Sequence, residues 1–392
     1  MSRDSFTQTT HTSWFTRMSR SVGGIFIGIM LVLASFAGLF VNEGRAVKTA
    51  RALTEGAGLV VSIDSYVADP ANDGKLVHVA GKLEPHGTPS DDMFAVSAPG
   101  ALRISRSVEM YQWKEEQRSE TRNKVGGGTE TVTTFTYVRE WSARPIDSSA
   151  FREPSGHANP PMPVEASTVT VPQANLGAFV LSSSQLSSFG SDAEIPLPPE
   201  ALAKARSTLS RYDLAAVANT IVSGSATAPQ VGDLRISWKA AKAESASIIA
   251  RQSANALVAY ETSNGRKLFL TRNGIEQAAT MFEQEQESNV SFTWLLRALG
   301  LGVMFAGFAT MLSILGVIGD IIPFIGRMVR SGTSLIAMFM TAIFGPLAIA
   351  LGWFAYRPLL AAAIIVTGLA LAFGVSRLAG SGNKRSENQI TT

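Results

Sequence analysis

Four stretches without a charged side chain limit what this chain can become: residues 22–41, 298–319, 335–356 and 358–376. An α-helix rises about 1.5 Å per residue, so each is long enough to cross the roughly 30 Å hydrocarbon layer of a bilayer. They lie toward the two ends of a 392-residue chain and leave one large polar region between them. The expected organisation is a disordered tail over 1–21, a first span over 22–41, an exported domain over 42–293 and a second span over 294–319. A loop over 320–334, a third span over 335–356, a fourth over 358–376 and a tail over 377–392 follow. Ser35, Phe36 and Ala37 could mark a cleavage site, but the apolar run exceeds the usual core of a signal peptide, so the first span is expected to be retained.

Trp294, Trp353 and Tyr356 fall near expected helix ends, where amphipathic rings favour the interface. The short amphipathic run 321–330 is expected to lie along the membrane surface. Lys and Arg near the spans lean toward the side holding both termini, which puts the termini in the cytoplasm and the large domain in the periplasm of a bacterium or, in a eukaryote, in the lumen bounded by the endoplasmic reticulum and inner nuclear membrane. Gly24 and Gly28 have the GxxxG spacing that lets two helices approach closely, a feature of self-association, and Gly345–Pro346 is expected to kink the third span. No Asp, Glu, Lys or His lies at an expected bilayer centre, so the sequence offers none of the usual ion-coupling groups of a transporter. A channel would need a pore of neutral residues built by several subunits.

The totals exclude some chemistries. A net charge of +3 gives no patch that could track nucleic acid. The absence of cysteine removes disulfides, thiolate nucleophiles and Cys-ligated metals. The 46% hydrophobic content allows one sizeable domain besides the spans.

Within 42–293 the strand signal is strongest over 108–141. Glu109, Tyr111 and Trp113 alternate in twos, as do Phe135, Tyr137, Arg139 and Trp141, with the polar, glycine-containing stretch 118–129 between them. We read a two-stranded ribbon with a mobile tip and an aromatic seam that the rest of the domain must cover. Strands are expected at 59–67, 76–83, 169–181 (a pair broken at Pro172) and 231–238, and helices at 198–209 and 275–289. The fold class is therefore an α+β extramembrane domain plus a four-span helical membrane region.

The most site-like segment is the loop Gly156-His157-Ala158-Asn159-Pro160-Pro161, with Glu153 and Glu165 nearby. A histidine between two carboxylates could bind a metal or act as a base; the preferred reading is a rigid loop whose His157 and Asn159 bond backbone groups and lock a sheet edge. His78 could join His157, although a satisfied histidine is the preferred reading. Tyr111, Trp113, Phe135, Tyr137 and Trp141 could form a glycan or headgroup platform, but core packing is preferred. Glu109, Glu115 and Glu140 could supply an acid/base pair, but they are expected to be solvated or paired with Lys114, Arg139 and Arg144. Gly232-Asp233 reads as a turn in which Asp233 bonds amides, and Gly126–Gly128 as a flexible link without the context of a phosphate loop. No catalytic motif of the GxSxG, HExxH or P-loop kind is present in the sequence, and no cofactor is expected.

Several stretches carry a resemblance: KLVHVAGKL at 75–83, RSVEMYQWKE at 106–115, YVREW at 137–141, SGHANPPMPVE at 155–165, LGAFVLS at 176–182, VGDLRISW at 231–238 and GWFAYRPL at 352–359. In these runs and their order the chain resembles the transmembrane protein 43 (LUMA) family. The resemblance implies one N-terminal span, a large non-cytoplasmic domain and three C-terminal spans. It also implies membrane proteins that self-associate and, in animals, organise partners such as emerin and lamins at the inner nuclear membrane and endoplasmic reticulum. The alanine-rich, cysteine-free composition points to a bacterial homologue in an inner membrane. The expected partners are membrane lipid, further copies of the chain and other membrane proteins, with no nucleic acid. The expected role is a scaffold and not an enzyme; the alternatives are an envelope enzyme acting on lipid or glycan, and a lipid-responsive sensor or channel.

Overall fold

The computed structural model describes residues 4–359 apart from residue 226. Save for its first two residues, the expected fourth span lies outside the described residues, as does the C-terminal tail. In chain order the strands used below are β1 (Ser5–Thr12), β2 (Val61–Ile63), β3 (Leu76–His86), β4 (Arg103–Asn123), β5 (Thr129–Ser142), β6 (Ser167–Thr170), β7 (Gln173–Leu176) and β8 (Phe179–Ser182). They continue with β9 (Ser191–Glu194), β10 (Leu214–Val217), β11 (Thr220–Ser223), β12 (Leu234–Lys242), β13 (Ser245–Ser253), β14 (Ala256–Val258) and β15 (Leu270–Asn273). The helices are α1 (Trp14–Leu59), α2 (Pro199–Thr208), α3 (Ala278–Gly319) and α4 (Pro323–Tyr356). The content is thus mixed helix and sheet. By length and composition α1, α3 and most of α4 can each cross a membrane.

Two compact units emerge, one from the chain up to Thr10 with Ala52–Arg122 and Glu130–Glu285, the other from His11–Arg51, Asn123–Thr129 and the chain from Gln286 onward. The first is rich in strands. One sheet has the order β1-β5-β4-β12-β11-β10, with β9 also on β12 and β6 also on β4. In the other, β13, β14, β8, β7 and β3 pair in succession, and β3 pairs back onto β13, so those strands close a small barrel with β2 and β15 attached outside.

Period-two alternation decides what fills that barrel. Val77, Val79 and Leu83 of β3 meet Ala246, Ile248 and Ala250 of β13, with Leu176, Phe179, Leu181 and Leu257 from the remaining strands, in one buried apolar cluster. The other face of the same strands supplies Leu76 and Ile249, which pack with Ala52 and Leu53 at the end of α1 and Met281 and Phe282 at the start of α3. The first sheet has its own core, Ile104, Val108, Met110, Ile236 and Trp238 among others, closed by Ala201 and Ala205 of α2.

In the second unit Leu39, Met304, Phe308, Ala337 and Ala348 are buried between α1, α3 and α4. Small residues set the helix spacing. A Cβ at Gly28 would lie 2.6 Å from Gly307 O, and one at Gly307 would lie 2.9 Å from Gly28 O. The GxxxG spacing expected to join copies is therefore used within the chain, between α1 and α3. Asp320, fully buried, accepts from Arg330 Nη1 (2.6 Å), Asn123 Nδ2 (2.9 Å) and Arg17.

Other boundaries differ from expectation for physical reasons. Residues 5–12, read as disordered tail, form β1 beside β5, and Tyr137 N donates to Asp4 O at 3.0 Å. A Ser/Thr-rich stretch carries strand propensity without an apolar pattern, so tail and strand look alike in sequence. The helix around 22–41 extends to both sides because hydropathy registers lipid contact, whereas a helix continues wherever its backbone bonds do. Residues 323–334, read as a surface loop, are the first turns of α4, which opens on a proline at a position where no N–H is needed. Polar residues keep the β4–β5 ladder going to Asn123, through hydroxyl pairs Ser119–Thr133 and Thr121–Thr131, both at 3.0 Å. The tip expected to be mobile is held: Gly126 N donates to Ile321 O at 3.2 Å, and the Trp14 ring leaves no room for a side chain on Gly127. The strand expected at 59–67 shrinks to β2, because α1 runs on to Leu59.

Candidate functional site

The site forms on β4, whose two faces have different tasks. Ile104, Val108 and Met110 point into the core of the first sheet. Tyr111 and Trp113, on the opposite face, are half-buried beneath the loop that follows β5. The alternation was legible, but the aromatic seam belongs to the outer layer and not to the main core.

His157 organises that layer. Its ring stacks on Tyr137 (centroids 3.8 Å, 18° apart) and meets Trp113 edge-on at 4.8 Å. Nδ1 lies 2.9 Å from Glu153 O and Nε2 lies 2.9 Å from Asp4 Oδ2, so both ring nitrogens face oxygen atoms of the protein. Tyr137 Oη donates to Glu115 Oε2 (2.9 Å) and accepts from Glu153 N (2.9 Å), while Arg152 N donates to the same Glu115 oxygen (2.6 Å). Burial and the neighbouring Glu115 carboxylate hold the Tyr137 phenol above its ordinary range, so it stays a donor.

Asn159 binds the loop to the strand. Its Oδ1 accepts from Trp113 N (2.7 Å), and its Nδ2 donates to Trp113 O (2.9 Å) and Ile146 O (3.2 Å). The amide thus stands in for a neighbouring strand where β12 no longer accompanies β4. Next along β4, Gly232 N donates to Tyr111 O (2.8 Å) and Tyr111 N to Asp233 O (2.8 Å). Gly232 has φ +99° and a Cβ there would lie 3.1 Å from Pro160 Cγ, so the turn requires glycine. Asp233 accepts from Gln230 N (2.7 Å) and Ser223 Oγ (3.2 Å), the turn role expected of it. Tyr111 and Trp141 pack at 5.3 Å, with Arg235 over Trp141 at 3.9 Å and Glu109 across the ladder from Arg235. Glu109, Tyr111, Trp113, Tyr137, Trp141, His157, Asn159, Pro160, Gly232 and Asp233 therefore converge around one strand.

A second node on β4 was not legible. Arg106 Nη1 reaches both Asp91 oxygens at 2.7 Å, Nε and Nη2 reach Glu165 O at 3.0 and 2.9 Å, and Trp238 Nε1 donates to Asp91 Oδ2 at 2.8 Å. Arg106, Glu165 and Trp238 come from three different motif stretches, but Asp91 lies outside all of them. Asp4, the partner of His157, gave no signal either.

Other candidates separate from the node. Glu140 pairs with Lys114 at 3.0 Å, as expected of an exposed charge. His78 does not join His157: it lies on β3, 3.2 Å from Ser62 Oγ, and burial pushes its imidazole below the ordinary range against a weaker backbone interaction with Glu276. Among the described residues no group of three or more His, Cys, Asp or Glu is placed to hold a metal ion. The chemistry of the His157 loop is that of a fastening, since its polar atoms are spent on main-chain and side-chain partners.

Comparison with known proteins agrees with the motif reading. The family model described as transmembrane protein 43 matches residues 110–358. The chain is 36% identical to transmembrane protein 43 of Mus musculus over 361 residues, covering 89% of this chain and 88% of the mouse protein. It is 35% identical to the Homo sapiens protein, over 91% of this chain and 89% of that one, and 27% identical to the Drosophila melanogaster homolog, over 87% and 91%. No solved structure matches significantly. By the family match and these identities, the chain belongs to the transmembrane protein 43 family.

Proposed function

We propose that the chain is a multi-pass scaffold of a bacterial inner membrane that self-associates and organises other membrane proteins, with its strand-rich unit outside the cytoplasm and the N-terminal strand β1 on that same side, in place of the cytoplasmic N-terminus expected from the sequence. The observation that carries this reading is the rooting of the anchors. Leu53 near the end of α1 and Met281 and Phe282 near the start of α3 are buried in one cluster with Leu76 and Ile249 of the barrel strands. Both helices run on from that cluster toward the apolar stretches. A unit held this way has a high effective concentration for its own copies at the bilayer.

Two features favour a framework over an enzyme. The polar atoms of the most site-like loop are occupied by the protein itself. The terminal strand β10 presents exposed Ala215, Ala216 and Val217 on an edge without charge, suited to pairing with a second copy. The test is the mass of the intact complex extracted into native-lipid nanodiscs. A discrete homomultimer, alone or with further membrane proteins, is expected; a monomer without companions overturns the proposal.

A further inference from the structure

Hydropathy alone puts span ends at residues 41, 294 and 356. In the folded helices those ends meet around a single cavity of about 200 Å³, lined by Glu43 of α1, Asn289, Trp294 and Arg297 of α3, Trp353 of α4 and Arg357 just beyond it. This is smaller than the roughly 300–1,000 Å³ that encloses a drug-sized molecule. It leaves room for a compact polar group whose remainder stays outside.

The charges say which group. Glu43 is 2% exposed and its carboxylate is spent: Oε1 accepts from Arg297 Nε (2.7 Å), and Oε2 accepts from Arg297 Nη2 and Trp353 Nε1 (both 2.8 Å). Arg297 also sits over the Trp294 ring at 4.7 Å, while its Nη1 makes no hydrogen bond among the described residues. Arg357, exposed at the cavity wall, forms no ion pair among the described residues. Two arginines against one carboxylate leave a single positive charge, with unspent guanidinium donors. The carboxylate has no free oxygen for an ammonium group, and the Trp294 face already carries a cation. The surroundings are apolar: Leu295, Leu299, Leu351 and Phe354 are exposed along the neighbouring turns of α3 and α4.

We infer that this cavity binds the phosphate of an anionic, amine-free glycerophospholipid, with Arg357 and Arg297 as phosphate ligands, Trp294 at the rim and the acyl chains along α3 and α4. Glu43 and Trp353 hold Arg297 in place and do not touch the lipid. Guanidinium suits this task because its planar fork can give two hydrogen bonds to one phosphate. A site of this kind fixes the depth of the anchors in the membrane.

The test uses the full chain in detergent, titrated with phosphatidylglycerol, phosphatidylcholine or inorganic phosphate and read by native mass spectrometry. One phosphatidylglycerol per chain is expected, retained at least tenfold more tightly than phosphatidylcholine. Arg357→Gln is expected to lower that retention about tenfold without changing the fold or the assembly state, and Trp294→Ala is expected to weaken it less. Equal retention of phosphatidylglycerol and phosphatidylcholine, unchanged retention in Arg357→Gln, or inorganic phosphate bound as tightly as the lipid would each overturn the inference.

Discussion

The barrel interior and the outer face of the β4–β5 hairpin belong to one unit, yet they are held by different forces. Inside the barrel, Phe179, Leu176, Leu181 and Ile248 are fully buried and carry no side-chain polar atom, so shape and volume determine its stability. On the hairpin face, half-buried rings are covered by a loop that reaches them through His157 and Asn159, so directional bonds determine it. Four of the seven motif stretches contribute to the hairpin face or to the Arg106 node beside it; the barrel draws on the other kind of information, an apolar period of two. A barrel interior accepts any well-packed apolar set. The loop fastening needs an amide, an imidazole and a glycine at fixed places.

This contrast can be broken at several points, in descending order of effect. Phe179→Ala should cost about 3–5 kcal/mol, because a cavity opens where neighbours cannot follow, and denaturant titration of the purified protein reads it. A loss below about 1 kcal/mol would show that the barrel is loosely packed. Asn159→Ala should cost about 1–3 kcal/mol by leaving Trp113 N and O without their partner, while Asn159→Asp, which lacks the donor, should recover only part. Equal stability of Asn159→Ala and the parent would mean that the loop covers β4 without fastening it.

His78 sharpens the comparison from the barrel's outer side. Burial depresses its folded pKa below the ordinary 6.5, so the unfolded chain takes up the proton first as pH falls. Its contribution is therefore present above about pH 6.5 and lost as the pH drops from there toward the depressed value. His78→Gln should flatten that part of the stability profile, whereas a slope identical to the parent would assign the acid sensitivity elsewhere. The smallest effect concerns β1. Since the chain has no cysteine, Thr7→Cys and Ser253→Cys can be labelled singly with an impermeant reagent, and both should react from the same side without loss of stability. Reaction from opposite sides would remove β1 from the sheet.

How much of this was legible follows from the range of each interaction. The hairpin was readable because Tyr111, Trp113, Tyr137 and Trp141 alternate within a few residues. The turn at Gly232-Asp233 and the locking role of His157 and Asn159 were readable because local chemistry dictates them. The face that meets the core was misread, since Val108 and Met110 are less conspicuous than the rings beside them. The closed barrel was invisible because β3 and β13 pair across about 170 residues of chain, and no local pattern carries that register. Asp91 and Asp4 were missed for the same reason. The GxxxG glycines show the converse case, in which a real packing signal was read correctly as a close approach but assigned to the wrong partner.

The motif loop that carries His157 and Asn159 fastens β4 by bonding its main chain. Hydrogen exchange at the Trp113 amide measures this, because that N–H is satisfied by the Asn159 side chain and not by a neighbouring strand. In Asn159→Ala the Trp113 amide should lose protection at least tenfold while the barrel amides of Ile248 and Val79 keep theirs. Unchanged protection at Trp113 would contradict the fastening and return the His157 loop to the search for a chemical role.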